Sequence, residues 1–212
     1  MSSLGNVFII GDGYSTFDGW IPAGSVAYYP TDAVPNVTRV EQTWWHRLLT
    51  ETNASLIRND SYAGTTVCNT GYDGASASDS FVRRMDRLIT DGYFQKCRVD
   101  TVIIFGGKND DRMQVPVGAV QYGGWRQEDL RHFGPAYCYM LDRLKMNLPH
   151  ARIICLEDIT LHSMIRASME LACRHYRIDL VHLRNIFTVN GYPDCRGMEQ
   201  ISNQIQLYLL CT

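Results

Sequence analysis

Short apolar runs alternate along the chain with longer amphipathic stretches. Residues 7–10 (Val-Phe-Ile-Ile), 55–58, 99–105, 152–156 and 180–183 are rich in aliphatic and β-branched residues and bounded by glycine or polar clusters, the pattern of buried strands. The run at 99–105 (Val-Asp-Thr-Val-Ile-Ile-Phe) is the clearest, nearly continuous as in a strand covered on both faces. Between the runs, apolar residues recur at helical spacing. Trp44, Trp45, Leu48 and Leu49 mark a helix over 41–52, and Phe81, Met85, Leu88 and Ile89 mark another. Further helices are expected over 127–147, 161–176 and 197–210, with Pro135 expected to kink or restart the first of these. Residues 17–38, 71–78 and 112–125 read as loops, and two of them are long enough to suggest function.

Strands alternating with helices imply right-handed crossovers and a parallel sheet covered on both faces. The expected fold is therefore α/β: a three-layer α/β/α sandwich with a five-stranded parallel sheet in the flavodoxin-like order 2-1-3-4-5, one domain over residues 1–212. Chemistry in such sheets sits at the carboxyl ends of the strands. Three glycine-bearing blocks fall there: Gly11-Asp12-Gly13-Tyr14-Ser15-Thr16, Asn59-Asp60-Ser61-Tyr62-Ala63-Gly64 and Gly106-Gly107-Lys108-Asn109-Asp110.

Composition narrows the partners. A net charge of -2 and a pI near 6.3 give no electrostatic reason to expect nucleic acid. No run is long enough to span a bilayer, and the first residues lack the basic and apolar regions of a signal peptide. Seven scattered cysteines without a CxxC pair suggest a reducing compartment, so a cytoplasmic location is expected. The histidines His46, His132, His150, His162 and His175 lack ligand spacing, and neither a metal nor another cofactor is expected. The sequence carries no signal of oligomeric state.

The three blocks, in this order, resemble the SGNH (GDSL-type) hydrolases, in particular a bacterial branch. The resemblance implies ester hydrolysis, a small-molecule acyl or carbohydrate-ester ligand, and an oxyanion hole. Its donors would be the N–H groups of Gly13 and Gly64 and the side chain of Asn109. The family's first block is Gly-Asp-Ser, so Gly13 stands at the position of the nucleophile. Its last block is Asp-x-x-His-Pro, and the corresponding Thr188-Val189-Asn190-Gly191-Tyr192-Pro193 places Val189 at the aspartate and Tyr192 at the histidine. Tyrosine, with an ordinary pKa of about 10, is a poor base near neutrality, and valine orients nothing by hydrogen bonding. The implied protein is a catalytically degenerate hydrolase with the oxyanion donors kept.

Other residues offer alternatives to this reading. Ser15 and Ser61 are candidates for a relocated nucleophile in a still-active ester hydrolase, though each would need a base within reach. Cys68 and Cys195 would need an electropositive setting. Asp179-Leu180-Val181-His182 is a literal Asp-x-x-His, but it falls in the last strand and lacks the proline; a strand residue facing a helix is the expected outcome. Asp12 and Asp110 are expected to hold loops by accepting backbone N–H bonds, and Gly106 and Gly107 to turn the chain at positive φ. Tyr14, Trp20, Tyr28, Tyr29, Tyr122 and Trp125 could form a sugar-binding rim or pack the loops down. A phosphate- or nucleotide-binding flavodoxin-like module, with the anion at a helix N-terminus after the first strand, is a further alternative.

Overall fold

A computed structural model describes residues 4–71 and 76–212. Five parallel strands form the sheet: β1 (Asn6–Gly11), β2 (Ser55–Ser61), β3 (Thr101–Phe105), β4 (Arg152–Asp158) and β5 (Asp179–Leu183). Their order is β2-β1-β3-β4-β5, as expected from the alternation of strands and helices. Alternate residues of the central strands enter different cores. Phe8, Ile10, Val102 and Ile104 pack with α2 (Phe81–Thr90), α3 (Tyr93–Lys96), α5 (Phe133–Asn147) and α6 (Ser163–Tyr176). Val7, Ile9, Ile103 and Phe105 pack with α1 (Trp44–Thr52) and α7 (Cys195–Cys211) on the other face. Two-sided burial explains why β1 and β3 read as continuous apolar runs.

Helix starts are set by caps that periodicity does not show. Glu41 lies in a 3-10 turn, and α1 begins only after Thr43, whose Oγ1 accepts from His46 N. Residues 129–131 form another 3-10 turn, and α5 starts at Phe133. Pro135 therefore sits in the first helical turn, where the missing N–H removes no intrahelical bond; of the two expected outcomes, the helix starts afresh near the proline and does not kink in its middle. The short α4 (Lys108–Arg112) follows β3 directly. The loop expected at 71–78 lies partly outside the described residues, and residues 76–79 form a 3-10 turn.

One element escaped the sequence pattern. Thr188–Val189 (β6) and Tyr192–Pro193 (β7) form a small antiparallel hairpin. Its Asn190-Gly191 turn has φ of 52° and 76°, the left-handed pair that a tight hairpin turn requires and that Asn-Gly supplies. That dipeptide was the available signal. Among the described residues no helix is long and apolar enough to cross a membrane, and all seven cysteines are unpaired.

Candidate active site

The three blocks leave adjacent strands and are tied together by direct bonds. Tyr62 N donates to Gly11 O at 3.1 Å, and Asp12 N to Phe105 O at 3.3 Å. Asn109 Nδ2 donates to Thr65 O at 2.9 Å, joining the third block to the residue after Gly64. Asp110 accepts from Val67 N at 2.8 Å and Cys68 N at 3.2 Å, and Asp12 from Tyr14 N at 3.1 Å. Both aspartates thus hold loops, as expected. Beneath them, Arg84 donates to Gly11 O at 3.0 Å, to Asp60 Oδ2 at 3.1 Å and to Asp60 O. Its guanidinium is buried, so it serves as an internal cation binding the first two blocks.

Glycine has different uses at the different positions. Gly107 has φ of 101° and caps α4, but Gly106 does not. Gly106 lacks a side chain because the Phe81 ring occupies the space a Cβ would need, a close-approach role rather than the expected turn. Gly64 has φ of 81° and open space where its side chain would stand. Gly13 starts a 3-10 turn immediately after β1. A Cβ there would lie 3.1 Å from Tyr192 Cε1 and 3.7 Å from the Cβ atoms of Ala63 and Tyr28.

The hairpin is fixed over this spot by polar and aromatic contacts. Tyr192 stacks on Tyr28 with centroids 3.5 Å apart and planes 8° apart, while the Arg112 guanidinium lies 4.8 Å from the Tyr192 ring centre. Arg112 also donates to Tyr192 Oη at 3.1 Å and to Gly191 O at 3.0 Å. Tyr14 Oη donates to Gly191 O and Tyr29 Oη to Pro193 O, each at 2.6 Å. Val189 pairs with Tyr192 across the hairpin and packs against the α1/α7 core. A cleft of about 200 Å³ beside the hairpin is lined by Tyr14, Lys108, Arg112, Asp158, Thr160 and Gly191, among others.

Burial governs the electrostatics. The Asp12 carboxyl is pushed up to about 7 by desolvation, with the Tyr14 N–H opposing and the charge of Asp110 adding to the rise. Asp110 is pushed up to about 6, again by burial, against the N–H bonds from Val67 and Cys68. Desolvation also raises Tyr14 and Tyr28. Cys68 lies in the core and its thiol is raised by burial, the opposite of an activated thiolate.

Ser15 and Ser61, the candidates for a relocated nucleophile, are both buried. Ser61 Oγ donates to Asn59 Oδ1 at 2.6 Å, and the Ser15 side chain lies against Gly11 beneath the turn. His182 points from β5 to Glu157 of the neighbouring strand β4 at 3.1 Å, not to a helix as expected, because the parallel register sets the two residues side by side. The six loop aromatics range from buried to exposed positions. Tyr14 and Tyr29 are buried, Tyr122 stacks on His175 of α6, and Trp125 meets Tyr139 of α5. Tyr28 reaches Tyr192, and Trp20 is 45% exposed above Trp45. After β1 the chain enters a three-residue 3-10 turn and a long loop, so the phosphate reading lacks the helix N-terminus it needs.

A parallel α/β/α sandwich with Gly-Asp, glycine and Asn-Asp blocks at its carboxyl edge defines an SGNH-type hydrolase scaffold. The chain belongs to the GDSL-like lipase/acylhydrolase family, whose pattern matches residues 5–209. It resembles a structure described as that of a GDSL-like lipase from Bacteroides ovatus, with 39% identity, a TM-score of 0.90 and both chains covered completely. A counterpart from Bacteroides uniformis has 38% identity and a TM-score of 0.89, covering 100% of this chain and 98% of that one. A family two carbohydrate esterase from Clostridium thermocellum, in complex with cellohexaose, shares the fold at 15% identity and a TM-score of 0.65 over 99% of this chain and 65% of that one. No functionally curated protein matches the chain.

Proposed function

We propose that this chain is a GDSL-family scaffold that has lost its catalytic triad and binds an acylated ligand, such as an acetylated carbohydrate. The observation that carries this reading is the contact of Tyr192 with the empty side-chain position of Gly13. Gly13, Tyr192 and Val189 stand at the nucleophile, histidine and aspartate positions, and none can perform the corresponding step. Nucleophilic hydrolysis needs a hydroxyl beside a base that is itself oriented. Tyr192 is instead held between Tyr28 and Arg112, with its hydroxyl accepting from the guanidinium.

Binding draws on what survives. The N–H groups of Gly13 and Gly64 persist whatever the side chain, and the Thr65 carbonyl fixes the orientation of the Asn109 amide. Donors aimed at a carbonyl oxygen bind an acyl group even without a nucleophile. The open side of Gly64 and the cleft beside Arg112 offer space for it. The fold shared with a cellohexaose-bound carbohydrate esterase and the exposed ring of Trp20 support a carbohydrate as the rest of the ligand.

The test is covalent labelling with a fluorophosphonate probe, which needs an activated hydroxyl, followed by titration with acetylated and deacetylated oligosaccharides. The expected result is no labelling, with binding that depends on the acetyl groups. Strong labelling abolished by Ser15→Ala would overturn the reading in favour of a relocated nucleophile. A slow ester turnover without labelling fits the reading, because an oxyanion hole alone retains on the order of 10³–10⁴ over water in a serine protease lacking a triad member.

A further inference from the structure

Away from the Gly13 site, three potential ligands from three elements meet at the β5 edge of the sheet. The β4–β5 register sets Glu157 opposite His182, and Arg166 and Glu170 come down from α6. Glu157 is completely buried. Its Oε1 accepts from Arg166 Nε at 2.8 Å and lies 3.1 Å from His182 Nδ1. Its Oε2 is buried too, and no donor reaches it among the described residues. A carboxylate oxygen removed from water without a partner is costly, so its persistence here calls for a ligand. One ligand atom each from Glu157, Glu170 and His182 lies within 4.8 Å of the other two.

We infer that Glu157, Glu170 and His182 form a binding site for a divalent cation of the zinc class. One imidazole and two carboxylates are an established donor set for such ions, with solvent completing the tetrahedron. Ligand atoms about 2.0–2.1 Å from zinc in tetrahedral geometry stand roughly 3.3 Å apart, close to the 3.1 Å between His182 Nδ1 and Glu157 Oε1. The ion takes the place of the hydrogen bond between that pair. His182 is 40% exposed and Glu170 is also at the surface, so both can close the remaining distance by rotation. Arg166 fixes the Glu157 carboxylate, as outer hydrogen bonds do around metal ligands. Two carboxylates, Glu157 and Glu170, stand against the one guanidinium of Arg166, so the formal charge of the cluster is negative and favours a dication. Bound there, the ion staples α6 to the edge strand, independently of the pocket at Gly13.

The experiment titrates Zn²⁺ calorimetrically, and Co²⁺ by visible absorption, into the full chain carrying Cys97→Ser, Cys195→Ser and Cys211→Ser. These changes remove the thiols outside the core as competing ligands. The expected result is one saturable site, a cobalt spectrum without thiolate charge transfer, and a raised unfolding temperature with zinc. His182→Ala and Glu170→Gln, both at solvent-accessible positions, should each weaken binding at least tenfold while folding normally. Glu157→Gln should do the same if it folds. Absence of saturable binding, or unchanged affinity in folded His182→Ala, would overturn the site.

Discussion

The edge of the Tyr192 ring stands over the missing side chain of Gly13: a Cβ at Gly13 would come to 3.1 Å from Tyr192 Cε1. Gly13 lacks the positive φ that would itself forbid a side chain, so the obstacle is the ring. The two positions should be coupled energetically. Gly13→Ala is expected to cost about 1 kcal/mol through overpacking, and Tyr192→Ala should relieve that increment. Denaturant unfolding of both single variants and the double variant would give a coupling energy of about 0.5–3 kcal/mol. Strict additivity would show that the ring yields freely.

The same contact bears on the proposed loss of the triad. On the proposed reading, Gly13→Ser alone should remain at background with a panel of small esters, because the atoms nearest the new Cβ belong to Tyr192, Ala63 and Tyr28, and none of these is a base. Gly13→Ser, Val189→Asp and Tyr192→His together should produce measurable turnover and fluorophosphonate labelling, since members of a triad act as a unit. A folded but inert triple variant would count against the assignment of the last block.

Asp12 should make stability fall as pH rises through the weakly acidic range. Its carboxyl is pushed up to about 7 in the fold, against about 3.9 in an unfolded chain, so the folded state binds more protons between these values. The favourable contribution is complete below about pH 4 and is lost as the pH passes about 7. Asp12→Asn keeps an oxygen for Tyr14 N and should flatten the pH dependence of the unfolding temperature between 4 and 7, by several degrees at its upper end. Asp110, pushed up to about 6, contributes in the same direction, so a smaller slope should remain. An unchanged profile in Asp12→Asn would contradict the burial effect.

Arg84 is the internal tie between the first two blocks, and its removal should be expensive. In Arg84→Met, Asp60 keeps only the partly exposed Arg58, and Gly11 O loses a charged donor. Breaking a buried pair from one side costs about 3–5 kcal/mol. Chemical denaturation should show that loss, whereas Arg87→Met, at an exposed ion pair with Asp79, should change stability by about 1 kcal/mol or less.

The layered fold was legible because its signals are local. A strand buried on both faces needs a continuous apolar run, as at Val7–Ile10 and Ile103–Phe105, and a helix needs one apolar stripe, as at Trp44–Leu49. The blocks at residues 11–16, 59–64 and 106–110 could also be recognised, because turn chemistry is written in consecutive residues. Helix starts at Trp44 and Phe133 were less legible, since caps and 3-10 turns compete with periodicity there.

The five-stranded α/β/α sandwich, the family and the residue types in each block can all be read from the amino-acid sequence alone. It is the folded chain that sets the Tyr192 ring against Gly13, seals Ser15 beneath the turn, and buries Tyr14 and Tyr29 while leaving Trp20 and Tyr122 exposed. It also decided that Glu157, Glu170 and His182 meet, because β4, α6 and β5 each contribute one of them. Hydrophobic spacing reports which face of an element is buried; it carries no information about which residue of a distant element arrives there. That partner is fixed by the closing of loops and the register of strands, where packing of the whole chain, and not local preference, sets the minimum.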